Sequence, residues 1–93
     1  MEQGPANNMA ALASVPPKIL CEMLRRAGYS LIKESPYNWI YYKDGITDFP
    51  LLNVPKRGKL VALQVLETLL FNAGIDDAKY LVWKSELAGP ASQ

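Results

Sequence analysis

The chain has 93 residues, enough for one small domain and too few for two. Hydrophobic residues make up 49% and charged residues 20%, which is typical of globular and not of disordered proteins. The formal net charge is only +1, so nucleic-acid binding would need a local basic patch. Histidine is absent, which removes the commonest general base and a favoured zinc ligand.

Cysteine usage and hydropathy indicate the compartment. Cys21 is the only cysteine and cannot form an internal disulfide, which favours a reducing, cytoplasmic setting. The first residues lack the basic and apolar regions of a secretory signal, and no apolar run approaches the ~18 residues that cross a bilayer. We therefore expect no membrane association. We also expect no metal and no cofactor, because no zinc ligand set, phosphate-binding glycine loop or nucleophile elbow is found.

Residues 14–87 are expected to form the single domain, with flexible tails at 1–13 and 88–93. The first helix is predicted to begin at Pro16-Pro17, because proline is tolerated in a first turn. Gly28 is predicted to end this helix as a left-handed cap. Apolar residues in between recur at helical spacing: Ile19, Leu20, Met23, Leu24 and Ala27.

Three strands are predicted next. Residues 29–34 alternate with period two, as in a half-buried strand, and Trp39–Lys43 is rich in β-forming residues. Asp44-Gly45 predicts a tight type I′ hairpin. The third strand is expected from Ile46, with an interruption at Pro50 and its better half over residues 51–54.

Two further helices complete the predicted order. One covers about residues 60–72 with Gly74 as its cap, and Asp76 or Asp77 caps a short last helix through Lys84. The sequence therefore predicts an α+β fold of order α-β-β-β-α, with a three-stranded antiparallel sheet packed on helices and a short C-terminal helix. One face of the sheet is expected to stay exposed to solvent.

Three segments resemble a known family in their order and spacing. They are Leu24-Arg-Arg-Ala27-Gly28-Tyr29, Val54-Pro55 and Leu69-Leu70-Phe71-Asn72-Ala73-Gly74-Ile75. Together they resemble the HicA toxins, small mRNA interferases with a fold like that of double-stranded RNA-binding domains. The resemblance covers about residues 17–83 and implies an RNA-directed function in a toxin–antitoxin setting.

One departure from the family pattern bears on catalysis. Counting from Gly28, the family's Gly-Ser-His motif falls on Pro36-Tyr37-Asn38, so Asn38 stands where the resemblance implies a catalytic histidine. Asparagine can form hydrogen bonds but cannot exchange a proton near neutral pH. We therefore expect no catalytic residue and no RNA cleavage by the family mechanism.

The basic cluster Lys56-Arg57-Gly58-Lys59 is the most informative polar feature. It is predicted to lie just before the second helix, whose N-terminal N–H groups and positive dipole end would add to an anion site. The alternative is a solvated loop without a ligand. If the cluster binds phosphates, Lys33 and Lys43 are candidate helpers from the sheet, and Tyr42 and Tyr37 are candidate exposed rings. Trp39 and Tyr41 are instead expected to face the helices.

These observations leave three functional hypotheses. The first is a non-catalytic nucleic-acid-binding domain in which Lys56, Arg57 and Lys59 hold the phosphate backbone, with RNA favoured over DNA only through the resemblance. The second is a protein-interaction module, binding an antitoxin-like or other partner through the apolar second helix or a sheet edge. The third is an active endoribonuclease with a non-histidine mechanism. The sequence does not determine the oligomeric state.

Overall fold

The computed structural model describes residues 13–87. In chain order its elements are α1 (Pro17–Arg26), β1 (Ser30–Glu34), β2 (Asn38–Tyr42), β3 (Leu51–Pro55), α2 (Leu63–Ala73) and α3 (Asp77–Leu87). The strands pair antiparallel in the order β1-β2-β3. The predicted α+β fold and element order are confirmed. Apart from Ala13, the two predicted tails lie outside the described residues.

Helices α1 and α2 end in the same backbone motif. At the end of α1, Gly28 has φ +101°, and the N–H groups of Gly28 and Tyr29 donate to the carbonyls of Arg25 and Leu24. This pair of hydrogen bonds is a Schellman motif, which needs a residue in the left-handed region and is therefore served by glycine. The predicted helix end at Gly28 is confirmed.

The strand register separates the two faces of the sheet. Trp39 pairs with Val54 and Tyr41 pairs with Leu52, so these four side chains share one face. Tyr41, Leu52 and Val54 are buried in the core beneath the helices, while Trp39 is half-buried at its edge. The predicted orientation of Trp39 and Tyr41 is confirmed. Asn38, Ile40 and Tyr42 lie on the opposite face.

Strand β1 is not half-buried as predicted. All five of its residues are exposed, and the pairing with β2 shifts by one residue between Leu31 and Lys33. A bulge of this kind breaks the two-residue alternation on which the prediction rested. β1 is also an edge strand, and its apolar side chains Leu31 and Ile32 are exposed and find little to pack against.

The connection between β2 and β3 is longer than the predicted tight hairpin. Residues 43–50 form the loop, and Asp44 lacks the positive φ that a type I′ turn requires, although Gly45 has φ +84°. Ile46 therefore lies in a loop and does not begin a strand. The hydroxyl of Tyr29 donates to the carbonyl of Phe49 at 3.2 Å, a contact that holds the loop against α1.

The last two helices differ from their predicted bounds. α2 begins at Leu63 and not at residue 60, because the N–H of buried Val61 donates to the carbonyl of Val15 at 2.9 Å and keeps that segment extended. Asp76 caps α3 as predicted, accepting from the N–H of Lys79 at 2.8 Å. α3 continues to Leu87, so it is as long as α2 and not short. In the part of the chain that the structure describes, none of the helices has the length and apolarity needed to span a bilayer.

Candidate nucleic-acid interface

A groove of about 700 Å³ lies at one end of the sheet, where β2 begins and β3 ends. The register places Asn38 opposite Pro55, and the N–H of Lys56 donates to the carbonyl of Tyr37 at 2.9 Å. The basic loop is thereby held beside the start of β2. The groove is lined by Pro36, Tyr37, Asn38, Pro55, Lys56 and Arg57.

The turn before β2 is held in shape by Ser35. Its hydroxyl oxygen accepts from the N–H groups of Tyr37 at 3.2 Å and Asn38 at 3.1 Å, while its own N–H donates to the carbonyl of Asn38 at 2.9 Å. Local hydrogen bonds of this kind fix a turn without a regular strand ladder. They present the Tyr37 ring, which is 78% exposed, at the rim of the groove.

Lys56 is already engaged within the protein. Its ammonium group forms an ion pair with Glu34 and lies 5.1 Å from the centre of the Trp39 ring. The hydrogen bond and charge of Lys56 hold the pKa of the Glu34 carboxyl below its usual range. The positive charge of Lys56 is therefore partly neutralised before any ligand arrives, and this ammonium group contributes less to anion binding than the sequence predicts.

Arg57 and Lys59 are exposed and form no ion pair with any residue of the 13–87 range. Between them, Gly58 has φ +85°, a conformation that disfavours other residues at this position. α2 begins four residues after Lys59, so the prediction that the cluster sits at a helix N-terminus is wrong. Any anion here is held by side chains and loop N–H groups.

The remaining predicted contact residues are divided between two ends of the sheet. Lys33 pairs with Ile40 and lies on the face that carries Asn38. Tyr42 lies four residues along β2 from Asn38, roughly 13 Å at the usual rise of a strand. Lys43 follows it and donates to the carbonyl of Ala27 at 2.9 Å. The structure brings Asn38, Lys56 and Arg57 together, whereas Tyr42 and Lys43 lie at the other end.

The groove lining limits the chemistry of the site. It contains an amide, a phenol and two cations, and no carboxylate, thiol or imidazole. Such a set can bind anions and form hydrogen bonds, and it lacks the imidazole and carboxylate groups that most often act as general bases. Cys21 is buried elsewhere in the core, where burial raises the pKa of its thiol. Across residues 13–87, no three Cys, Asp or Glu side chains are placed to hold a metal ion.

Sequence reasoning missed the pairing of Glu34 with Lys56. The two residues are 22 positions apart, and their proximity depends on the bulge that aligns Glu34 with Trp39. A carboxylate at the end of the first strand and a lysine after the third were both visible in the sequence. Only the pairing register of three strands shows that they meet.

The protein is a small α+β domain with a groove at one end of its sheet, and the groove lining includes Lys56 and Arg57. Comparisons of the chain with protein-family models, with curated proteins and with solved structures return no match. The similarity to the HicA toxins therefore rests on the three segments and their spacing.

Proposed function

We propose that this protein binds RNA through the groove between the start of β2 and the basic loop, and that it does not cleave the bound strand. One observation supports the proposal above all. Asn38, at the place where the resemblance implies the catalytic residue, lies in one groove with Lys56 and Arg57 of the independently identified basic cluster. RNA is preferred to DNA because of the resemblance to RNA-directed toxins.

Cations in and beside the groove account for binding to the phosphate backbone of RNA. Arg57 in the groove presents a planar guanidinium that can contact a phosphate through two parallel hydrogen bonds. Exposed Lys59, two residues further along the basic loop and outside the groove lining, adds a second charge. Tyr37 stands at the groove rim with its ring exposed, where a base can stack on it. Phosphate contacts of this kind supply affinity without reading sequence.

The amide of Asn38 accounts for binding without cleavage. Hydrolysis or transesterification of RNA requires a group that takes a proton from the attacking oxygen or gives one to the leaving oxygen. Asn38 can donate and accept hydrogen bonds but has no titrating proton near neutral pH. The purified protein is expected to leave RNA intact under conditions in which it binds RNA.

A salt series on purified protein tests the proposal. Fluorescence anisotropy with a labelled mixed-sequence RNA gives the affinity at each salt concentration, and each neutralised phosphate adds about −0.7 to the log–log slope on a single strand. The double variant Arg57→Gln with Lys59→Gln is expected to weaken binding and flatten the slope by roughly 1.4. The matched control, Lys79→Gln with Lys84→Gln on α3, removes equal charge and is expected to leave binding unchanged.

The ion pair of Lys56 gives a second, opposite test. Glu34→Gln removes the competing carboxylate, so Lys56 becomes free to contact a phosphate. RNA binding is then expected to tighten, with a slope steeper by about 0.7. Binding that ignores salt, survives the Arg57 and Lys59 changes, or is unaffected by Glu34→Gln would contradict the proposal. Cleavage of the RNA by the unmodified protein would contradict its second half.

A further inference from the structure

Phe71 is an exposed aromatic residue on α2, remote from the groove. Its side chain is 81% exposed, the largest value among the big apolar residues of the 13–87 range. Immediately before and after it on the same helix, Leu70 is buried and Asn72 is half-buried. A phenylalanine exposed on a formed helix contributes little to the fold, and a contiguous apolar surface with a polar rim is typical of an interaction site.

The hollow beside Phe71 has an apolar floor and an acidic rim. It encloses about 770 Å³ between the end of α2 and the start of α3, with Leu70, Ile75 and Ala78 among its lining residues. The charged residues of its lining are all acidic: Glu67, Asp76 and Asp77. Glu67 precedes Phe71 by four residues, so the two side chains are neighbours on the surface of α2.

Phe71 also lines a second hollow that contains a carboxylate. This smaller hollow, of about 440 Å³, is lined by Phe71, Asp48 and Lys43 among other residues. The ammonium group of Lys43 donates to the carbonyl of Ala27 and is therefore directed to the end of α1. On α3, the ammonium group of Lys79 lies over the Trp83 ring, 5.8 Å from its centre. Both hollows that Phe71 lines therefore include carboxylates in their lining.

We propose that this Phe71 surface docks a protein segment in which arginine residues alternate with apolar side chains. The hollow accepts the apolar side chain, the Phe71 ring offers a face on which a guanidinium stacks, and the carboxylates of Glu67 and Asp77 accept its hydrogen bonds. Asp76 contributes less, since one of its oxygens already caps α3. Charge complementarity selects a basic partner and disfavours an acidic one.

This surface is independent of the proposed RNA site. No residue lines both the groove and the Phe71 hollows. The charged residues of the groove lining are basic and those of the larger Phe71 hollow are acidic, so a single ligand of uniform charge fits only one of them. Losing RNA binding and losing partner binding are therefore distinguishable by experiment.

Titration of the full chain with a synthetic peptide tests the proposal. The probe is a short fluorescent peptide of alternating arginine and leucine, and its counterpart has glutamate in place of arginine. The arginine peptide is expected to bind at least tenfold more tightly than the glutamate peptide. Phe71→Ala, and separately Glu67→Gln with Asp77→Asn, are each expected to weaken the arginine peptide about tenfold or more.

Control variants distinguish specific peptide binding from the effects of net charge and of unfolding. Phe49→Ala removes the other phenylalanine, which is also exposed, and Glu22→Gln with Asp44→Asn removes the same charge elsewhere. Both are expected to leave peptide binding unchanged, as is the Arg57 and Lys59 double variant. Circular dichroism and urea unfolding of Phe71→Ala are expected to match the unmodified protein, which shows that binding and not folding is lost.

Three results would overturn the proposal. Peptide binding that persists in Phe71→Ala would place the site elsewhere, and equal binding of the glutamate peptide would show apolar contact without charge selection. Sedimentation showing self-association that Phe71→Ala abolishes would make a second copy of the chain the occupant.

Discussion

The ends of α1 and α2 share one local motif in two different surroundings. Ala27-Gly28-Tyr29 and Ala73-Gly74-Ile75 both close a helix with a left-handed glycine, and both place the following apolar residue in the core. The end of α1 is covered, because Lys43 crosses over Gly28 and donates to the carbonyl of Ala27. Open space surrounds Gly74.

A helix-end sequence predicts the backbone motif but not what covers it. An apolar helix followed by Ala-Gly and another apolar residue predicts a Schellman motif wherever it occurs, because the motif depends on local backbone geometry. Whether another side chain covers that helix end, as Lys43 covers the end of α1, depends on residues elsewhere in the chain. The resemblance to the HicA toxins rests partly on these two segments, and a helix-end pattern of this kind reports local backbone geometry and not function.

The largest contrast concerns the aromatic residues near the two ends. Tyr29 is buried and holds the β2–β3 loop through Phe49, whereas Phe71 is exposed. Tyr29→Ala is expected to lower the free energy of unfolding by about 3–5 kcal/mol, as for other buried large aromatics. Phe71→Ala is expected to change it by less than about 0.5 kcal/mol. Urea unfolding measures the free energy of unfolding of both variants. Equal losses in the two would contradict the contrast between the covered end of α1 and the uncovered end of α2.

The two glycines give the next contrast. A Cβ at Gly28 would lie 3.1 Å from Cε of Lys43, and φ +101° is outside the range that alanine tolerates, so Gly28→Ala is expected to cost about 3 kcal/mol. At Gly74 a Cβ meets nothing within 4 Å and φ is +74°, so Gly74→Ala is expected to cost about 1 kcal/mol. Matching losses in thermal or urea unfolding would show that Lys43 does not crowd the end of α1.

Alkaline pH is expected to lower the stability of the protein through Tyr80, which lies in the first turn of α3. Burial raises the pKa of Tyr80 from 10.0 to about 12. Its contribution to stability is therefore full below pH 10 and declines as the pH rises toward 12, a loss of about 2–3 kcal/mol at 1.36 kcal/mol per unit. Tyr80→Phe forgoes the hydrogen bond to the carbonyl of Ala13, so it starts less stable.

Urea unfolding between pH 8 and pH 12 compares the two proteins. The unmodified protein is expected to lose stability more steeply than Tyr80→Phe above pH 10. Tyr29 and Tyr41 also have pKa values raised by burial, so the variant is expected to retain part of the decline. Parallel curves would show that Tyr80 has the same pKa in the folded and the unfolded state, which would contradict the prediction.

The last prediction, a small one, concerns Lys43, which covers the end of α1. Lys43→Met keeps most of the apolar stem and removes the hydrogen bond to Ala27 at the carbonyl end of the helix. The expected cost is about 1 kcal/mol, the usual range for one hydrogen bond with a favourable helix-dipole contribution. Lys79→Met on α3 serves as the control and is expected to be nearly neutral. Equal effects would show that the Lys43 contact contributes nothing specific.

Much of the fold follows from local sequence. The order of elements, the two helix ends at Gly28 and Gly74, the cap at Asp76 and the inward side of β2 all rest on signals within a few residues. Those signals act through backbone conformation and alternation, which neighbouring residues determine. The basic loop and Asn38 were also identifiable one at a time, each from its own segment.

Tertiary structure alone decided how these segments meet. The bulge in β1 leaves that strand exposed and brings Glu34 to Lys56, and the contact of Val61 with Val15 delays the start of α2, which separates the basic loop from the helix. Antiparallel pairing of β2 with β3 places that loop beside Asn38. These outcomes depend on contacts between different segments of the chain, such as that of Glu34 with Lys56, 22 positions away. Such contacts are set by the packing of the whole domain, which no local pattern encodes.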